Sequence, residues 1–270
     1  MNVPLIILDT ESARVDGAPH LVELCALRCE GGQVVDRFHR LVRPRVAIDS
    51  ESKRIHGLGD ADVADAAQAP QVIAEFAAFA GGHWLVAHGA RCDAALLGFE
   101  YARAASTPPA GRWLDTQALA RRWVSGAPAF GLAPLATFLA LGAQPRHRAS
   151  EDALAVVALL SAMLVSRGGW QAFEPAKTPS AARPRPRIRA PLAPALAKRH
   201  RILAEACRAR RPVTLHLDAA DTPSSTTDRR CVDPVLIFPR AARGYLEARC
   251  RASGAWATHP LDTIQHVSLD

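Results

Sequence analysis

The chain has 270 residues, of which 49% are hydrophobic and 22% charged, which suits one medium and one small domain, each with its own core. No window approaches the roughly 18 uninterrupted apolar residues of a membrane span. The opening MNVPLIILD has no basic segment before its short apolar run, so it reads as a buried strand rather than a signal peptide. The net charge of +7 is lopsided: residues 1–175 carry 16 Lys and Arg against 18 Asp and Glu, and residues 176–270 carry 17 against 8. A basic second half suits an anionic partner such as nucleic acid. The six cysteines (25, 29, 92, 207, 231 and 250) include no C-x-x-C pair, which argues against a zinc site or disulfide framework and for reduced thiols in a cytoplasmic protein.

In chain order, residues 3–8 form a continuous apolar run and predict a buried strand ending at Asp9-Thr10-Glu11. Residues 20–29 and 33–42 flank Gly31-Gly32, the pattern of a β-hairpin. Residues 50–57 and 70–80 look helical, 83–88 (HWLVAH) form a short buried strand, and a helix follows over 91–103. Trp113-Leu114 lead into Asp115, a suitable N-cap for a helix over 116–123, and two more helices cover 132–141 and 150–165. Strands first, then strands mixed with helices, predict an α/β sheet covered by helices. Residues 174–194 (EPAKTPSAARPRPRIRAPLAP) are dense in Pro, Ala and Arg and predict an extended linker. Its Arg183, Arg185, Arg187 and Arg189 fall at alternate positions, so it suits either a phosphate backbone or a plain spacer. A helix over 196–210 and strands over 213–217, 235–238, 245–250, 256–260 and 264–269 complete a small β-rich module. The division expected is 1–170, a linker over 171–195, and 196–270.

Four carboxylates fall where this order of elements can deliver them to one spot. Asp9 and Glu11 are two apart at the end of the first strand and point to one face. Asp93 opens the helix after HWLVAH. Asp152 opens the last large helix, with His147 five residues earlier. Clustered hard oxygens are what Mg²⁺ or Mn²⁺ requires, two such ions suit phosphodiester cleavage, and a neighbouring imidazole can take the proton from a water. Each signal alone has a plain alternative: solvated turn acids, helix N-terminal charges, or a surface histidine. Their combination in this order does not.

LIILDTES, LVAHGARCDAALL and HRASEDALAVVALL resemble the three motifs of the DEDDh 3′→5′ exonucleases, the DnaQ-like group that includes the proofreading subunit of DNA polymerase III. FHRLVRP, IHGLGDADV, WLDTQALAR and GLAPLATFLAL resemble intervening segments of that branch, so the likeness covers about residues 3–166. It implies an RNase H-like mixed five-stranded sheet flanked by helices. It also implies two divalent ions on Asp9, Glu11, Asp93 and Asp152, His147 as general base, and a substrate cleft bordered by Thr10, Ser12, His56, His88 and Gly89. The second motif usually reads His-Asn-x-x-Phe-Asp; here Gly89 replaces the Asn and Cys92 the Phe, and Ser12-Ala13-Arg14 replaces the frequent Thr-Thr-Gly. Glycine forgoes the amide's hydrogen bonds, and cysteine removes aromatic packing beneath the site.

From about Leu196, ILAEACRARRPVTLHL, RRCVDPVLIFPRAARGYLEARC and PLDTIQHVSL resemble a WYL domain, a small Sm-like sheet module. Its naming tripeptide is Gly244-Tyr245-Leu246, and its late arginine-bearing pattern is reduced to Ala257, His259, Leu261, Thr263 and Ile264. The likeness implies nucleic-acid or effector binding through Arg230, helped by Arg229, Arg243 and Tyr245; the plain alternative is a core tyrosine and exposed arginines. The expected activity is trimming of single-stranded or 3′-ended DNA. RNA as substrate, or a regulatory binding protein with a weakened site, are the alternatives. No fused polymerase domain and no clamp-binding peptide is recognised, so a polymerase partner is not indicated.

Overall fold

In a computed structural model of the chain, the described residues are 4–15, 18–178, 186–191, 194, 196–217, 228–240 and 242–269. The chain divides into two compact units, the first ending at Arg189 and the second running from Ala190. Among the described residues, no helix is long and apolar enough to cross a membrane.

The first unit is built on strands β1 (Leu5–Val15), β2 (Ala18–Glu30), β3 (Gln33–Arg43), β4 (Ala67–Gln68), β5 (Trp84–Ala87) and β6 (Trp113–Asp115). They form one mixed sheet in the order β4-β3-β2-β1-β5-β6. The central pairs β1–β5 and β5–β6 are parallel, and β2–β3 is antiparallel. Gly31 and Gly32, both at positive φ, make the tight β2–β3 turn that the sequence predicts. The sheet has six strands, not the five expected; the sixth, β4, is a two-residue pairing with Val42 and Arg43 that carries no periodicity to read.

Both faces of this sheet are covered, which is why its central strands read as continuous apolar runs. Ile6 and Leu8 of β1 pack with Leu24 and Ala26 under helices α2 (Ala69–Ala80) and α3 (Arg91–Ala104). Leu5 and Ile7 face the other way, with Cys25 and Leu27, under α4 (Thr116–Trp123), α5 (Leu132–Phe138) and α6 (Ala149–Val165). The short helix α1 (Ser50–His56) is capped by Asp49, whose side chain accepts from Ser52 N.

β1 does not end at Leu8 as expected: it continues to Val15, so Asp9 and Glu11 lie inside the strand. α5 stops at Phe138, three residues short of the expected end. Asp115 caps α4 as predicted, accepting from Gln117 N and Ala118 N.

Part of the expected linker belongs to the first unit. Ile188 is 9% exposed and joins the core that contains Leu97, Tyr101 and Trp113. The Arg189 carbonyl lies so close to α3 that a Cβ on Gly98 would sit 2.0 Å from its oxygen. Arg187 and Arg189 remain exposed beside this buried isoleucine, whereas Arg183 and Arg185 lie outside the described residues.

In the second unit, the antiparallel sheet runs β10-β9-β8-β7-β11. Its strands are β7 (Val213–Leu217), β8 (Asp228–Arg240), β9 (Arg243–Cys250), β10 (Trp256–Pro260) and β11 (Ile264–Leu269). Helix α7 (Arg201–Ala209) buries Leu203 and Ala206 against Val213, Leu215, Leu246 and Ile264. The expected helix from 196 begins instead with a 3₁₀ turn at Lys198–His200. β8 is longer than expected: Pro234 lies within it, beside a break in register between Pro234 and Leu236 that accommodates the missing donor. None of the six cysteines is joined in a disulfide.

Candidate active site

The two faces of β1 sort the acids. Asp9 and Glu11 continue the row Leu5, Ile7 toward the α6 side, and Asp152 stands in the first turn of α6. Ligand oxygens of Asp9, Glu11 and Asp152 all lie within 4.8 Å of one another. Thr10 continues the opposite row, Ile6 and Leu8, toward α3, and its hydroxyl donates to Asp93 Oδ1 at 2.8 Å. Asp93 is therefore held by Thr10 and stands outside that three-residue group, while its charge still acts on Asp9.

Burial is the main reason these carboxyls resist ionisation, with mutual repulsion added. Asp9 is pushed well above the usual carboxylate range by burial, then by Asp93, Glu11 and Asp152. Glu11 is raised to about 8 by burial, then by Asp152, Glu23 and Asp93. Asp93 and Asp152 are raised chiefly by burial as well. A divalent cation reverses this unfavourable crowding, and the donor set, all hard oxygen, fits Mg²⁺ or Mn²⁺.

His147 is exposed on the loop before α6 and adopts a left-handed backbone, φ 56°, a conformation that costs a non-glycine residue about 1–2 kcal/mol. The loop is held on both sides. Arg146 N donates to Asp152 Oδ1 at 2.8 Å. Behind it, Glu23 of β2 accepts from Arg148 Nε at 3.0 Å, Arg148 Nη2 at 3.1 Å and Ala149 N at 3.1 Å. Glu23 also accepts from His39 Nε2 at 2.7 Å. Burial pushes the Glu23 carboxyl up, but the bonds from His39, Arg148 and Ala149 outweigh it and hold it at about 2. The sequence reading missed this residue; its signal is a single acid inside the apolar run HLVELCAL.

The residues expected to border the cleft divide in two. Gly89 has φ 71°, its N–H donates to Asp115 Oδ1 at 3.0 Å, and open space surrounds the position of a Cβ. Asparagine and glycine are the two residues that tolerate this backbone most readily, which accounts for the exchange at this position. Cys92 is exposed, not beneath the site, so no aromatic packing is lost under the acids. The His88 ring is engaged by the scaffold: Nε2 donates to the Phe130 carbonyl at 2.9 Å and Nδ1 lies 3.1 Å from Thr116 Oγ1. His56 is buried, its Nδ1 accepts from Leu58 N at 3.1 Å, and Nε2 has no well-formed hydrogen bond. Burial lowers the pKa of this ring, opposed by the Ser12 backbone next to it. Thus the Thr10 hydroxyl and the His88 ring serve the scaffold, and the Gly89 backbone is engaged as well, its carbonyl accepting from Cys92 N at 3.0 Å.

In the second unit, Arg230 pairs with Asp228 at 2.7 Å and Arg243 with Asp262 at 2.7 Å, all exposed. Tyr245 stacks on the buried Phe238 at 5.7 Å between ring centroids. Arg229 is exposed at the position opposite His216. A Cβ on Gly244 would meet Leu261 Cδ1 at 2.8 Å and Pro194 Cγ at 2.9 Å, so a side chain at the first place of the tripeptide requires these neighbours to shift.

A helix-flanked mixed sheet with partly buried acids on its central strand, and an acid from each of two flanking helices beside them, gives the first unit an RNase H-like α/β architecture with an acidic site. Residues 6–160 match the family model described as Exonuclease (RNase_T), and the chain belongs to this exonuclease family. Residues 198–269 match the WYL domain model. A Mycobacterium tuberculosis protein provisionally named a bifunctional exonuclease/endonuclease is 36% identical over 174 residues, 62% of this chain and 27% of that protein. The PolC-type DNA polymerase III of Thermotoga maritima is 28% identical over 153 residues, 56% of this chain and 11% of the polymerase. The chain thus spans only a minor part of the length of these curated relatives. The solved nuclease domain of 3′hExo, described as a DEDDh family member bound to rAMP, has the same fold: TM-score 0.54 at 15% identity, covering 62% of this chain and 94% of that one.

Proposed function

We propose that the chain is a metal-dependent 3′→5′ exonuclease that hydrolyses phosphodiester bonds at nucleic-acid 3′ ends, with DNA as the favoured substrate. The observation that carries this reading is the approach of Asp9 and Glu11 on β1 and Asp152 on α6 to within 4.8 Å of one another, with His147 on the loop just before α6. Asp9, Glu11 and Asp152, with Asp93 beside them, would hold two divalent ions. Bound there, the ions would supply positive charge to the phosphate and to the oxygen that leaves. His147 is the chain's own contribution to proton transfer: its exposed ring accepts the proton of the attacking water. Ser12 and Gly89 border the terminal nucleotide. DNA is favoured because the polymerase relative is a DNA polymerase; RNA is kept as a comparison substrate because the 3′hExo domain was solved with rAMP. In the second unit, Arg229 and Arg230 would add affinity for the phosphate backbone, since an exposed pair such as Arg230–Asp228 opens at a cost of about 1 kcal/mol or less.

Digestion of matched single-stranded DNA, duplex DNA with mispaired ends, and RNA, in Mg²⁺ and in Mn²⁺, tests this. Asp9→Ala is expected to abolish activity, and His147→Ala to lower kcat by about 100-fold or more with little effect on binding. Activity that survives Asp9→Ala would contradict the reading.

A further inference from the structure

We propose that Glu23 is a positioning residue for the proton-transfer step, acting through Arg148 and Ala149 on His147; this rests on the nuclease reading above. Glu23 is completely buried on β2, on the sheet face that α6 covers, far from His147 in sequence. Its two oxygens take up both Arg148 donors and the Ala149 N–H. These are the two residues that follow His147 directly.

Three features make this more than a packing contact. First, α6 lacks a side-chain cap of its own: Arg148 is its N-cap residue and makes no side-chain cap bond, so the Ala149 N–H depends on Glu23. Second, His147 holds a left-handed backbone, which is uncommon for any non-glycine residue, and the loop bonds on either side of it maintain that conformation. The enforcement comes from two carboxylates, Asp152 on the Arg146 side and Glu23 on the Arg148 side. Third, the same Glu23 accepts from His39 on β3 through Oε1, the oxygen that also takes Arg148 Nη2, so the carboxylate is anchored to the neighbouring strand as well. The clamp therefore ties the base-bearing loop to the rigid sheet that also carries Asp9 and Glu11. A general base displaced by about 1 Å loses on the order of 100-fold in rate, so a clamp of this kind is worth a large factor in kcat without touching substrate.

Glu23→Gln tests the assignment in the full chain. The amide keeps the size of the side chain but presents an N–H₂ group where Arg148 or His39 needs an acceptor. The expected result is a kcat about 10- to 100-fold lower, with KM and Mn²⁺ affinity within about twofold of wild type. The deficit should narrow from pH 7 toward pH 9, because hydroxide replaces water and needs no base. Arg148→Met, which leaves Glu23 its Ala149 and His39 partners, should show the same pattern more weakly and serves if Glu23→Gln does not fold. A kcat within about twofold of wild type, or a loss that is equal at every pH and accompanied by equal loss of Mn²⁺ affinity, would overturn the positioning role. Wild-type protein without metal-dependent nuclease activity would instead overturn the nuclease reading, and this role with it.

Discussion

At the scale of single residues, the acids were legible because spacing alone put Asp9 and Glu11 on one face, and because His147 stands five positions before Asp152. Gly89 was legible as a departure but not as a requirement, since only the structure gives its φ of 71°. Gly89→Asn should therefore leave stability within about 1 kcal/mol, whereas Gly89→Val should cost about 1–2 kcal/mol in denaturant melts, because a β-branched side chain resists the left-handed region. Equal stability of the two variants would show that the backbone there relaxes. Glu23 was not legible as functional: its role depends on Arg148 and Ala149, more than a hundred positions away.

At the scale of elements, most strands and helices could be read because their apolar patterns are long and their punctuation is strong, as at Gly31-Gly32 and Asp115. The errors share a cause. The full length of β1 is hidden because Asp9-Thr10-Glu11 interrupts the apolar run, although a strand can carry acids where a site needs them; that of β8 is hidden by Pro234, which a bulge absorbs. Ile188 is not legible as a core residue, because a lone isoleucine among arginines and prolines has no periodicity. Yet residues 186–189 pack on the helix whose first turn carries Asp93. Gly98→Val should expel the Arg189 carbonyl and release this segment, seen as faster amide exchange over 187–189. Ile188→Ala should cost roughly 2 kcal/mol by removing buried methyl groups. Unchanged exchange in Gly98→Val would contradict the packing.

At the scale of the whole molecule, the acidic cluster links metal, protons and stability. Between its ordinary value of 4.5 and about 8, folded Glu11 holds a proton that the unfolded chain has released, so stability falls as pH rises through that window. His20, buried and held down to about 2 from an ordinary 6.5, contributes the opposite slope below 6.5, which leaves pH 6.5 to 8 as the clean interval. In EDTA the Tm should drop across that interval. Mn²⁺ should raise it and remove the drop, and Glu11→Gln should make the EDTA curve shallower, with the remaining slope left by Asp9 and Asp93; a metal-free Tm that rises with pH would contradict the cluster's electrostatics. The basic second unit predicts a different dependence. Arg229→Ala with Arg230→Ala should weaken single-strand binding and reduce the salt slope by about 1.4, the value for two phosphate contacts on a single strand. An unchanged slope would remove these arginines from the interface. The most direct test of the central claim follows a single-stranded DNA labelled at its 5′ end in Mn²⁺, with EDTA and Asp9→Ala as controls. The account predicts a ladder of labelled strands shortened one nucleotide at a time from the 3′ end, absent in both controls. Immediate release of labelled mononucleotide, internal cleavage, or a ladder that persists in Asp9→Ala would contradict it.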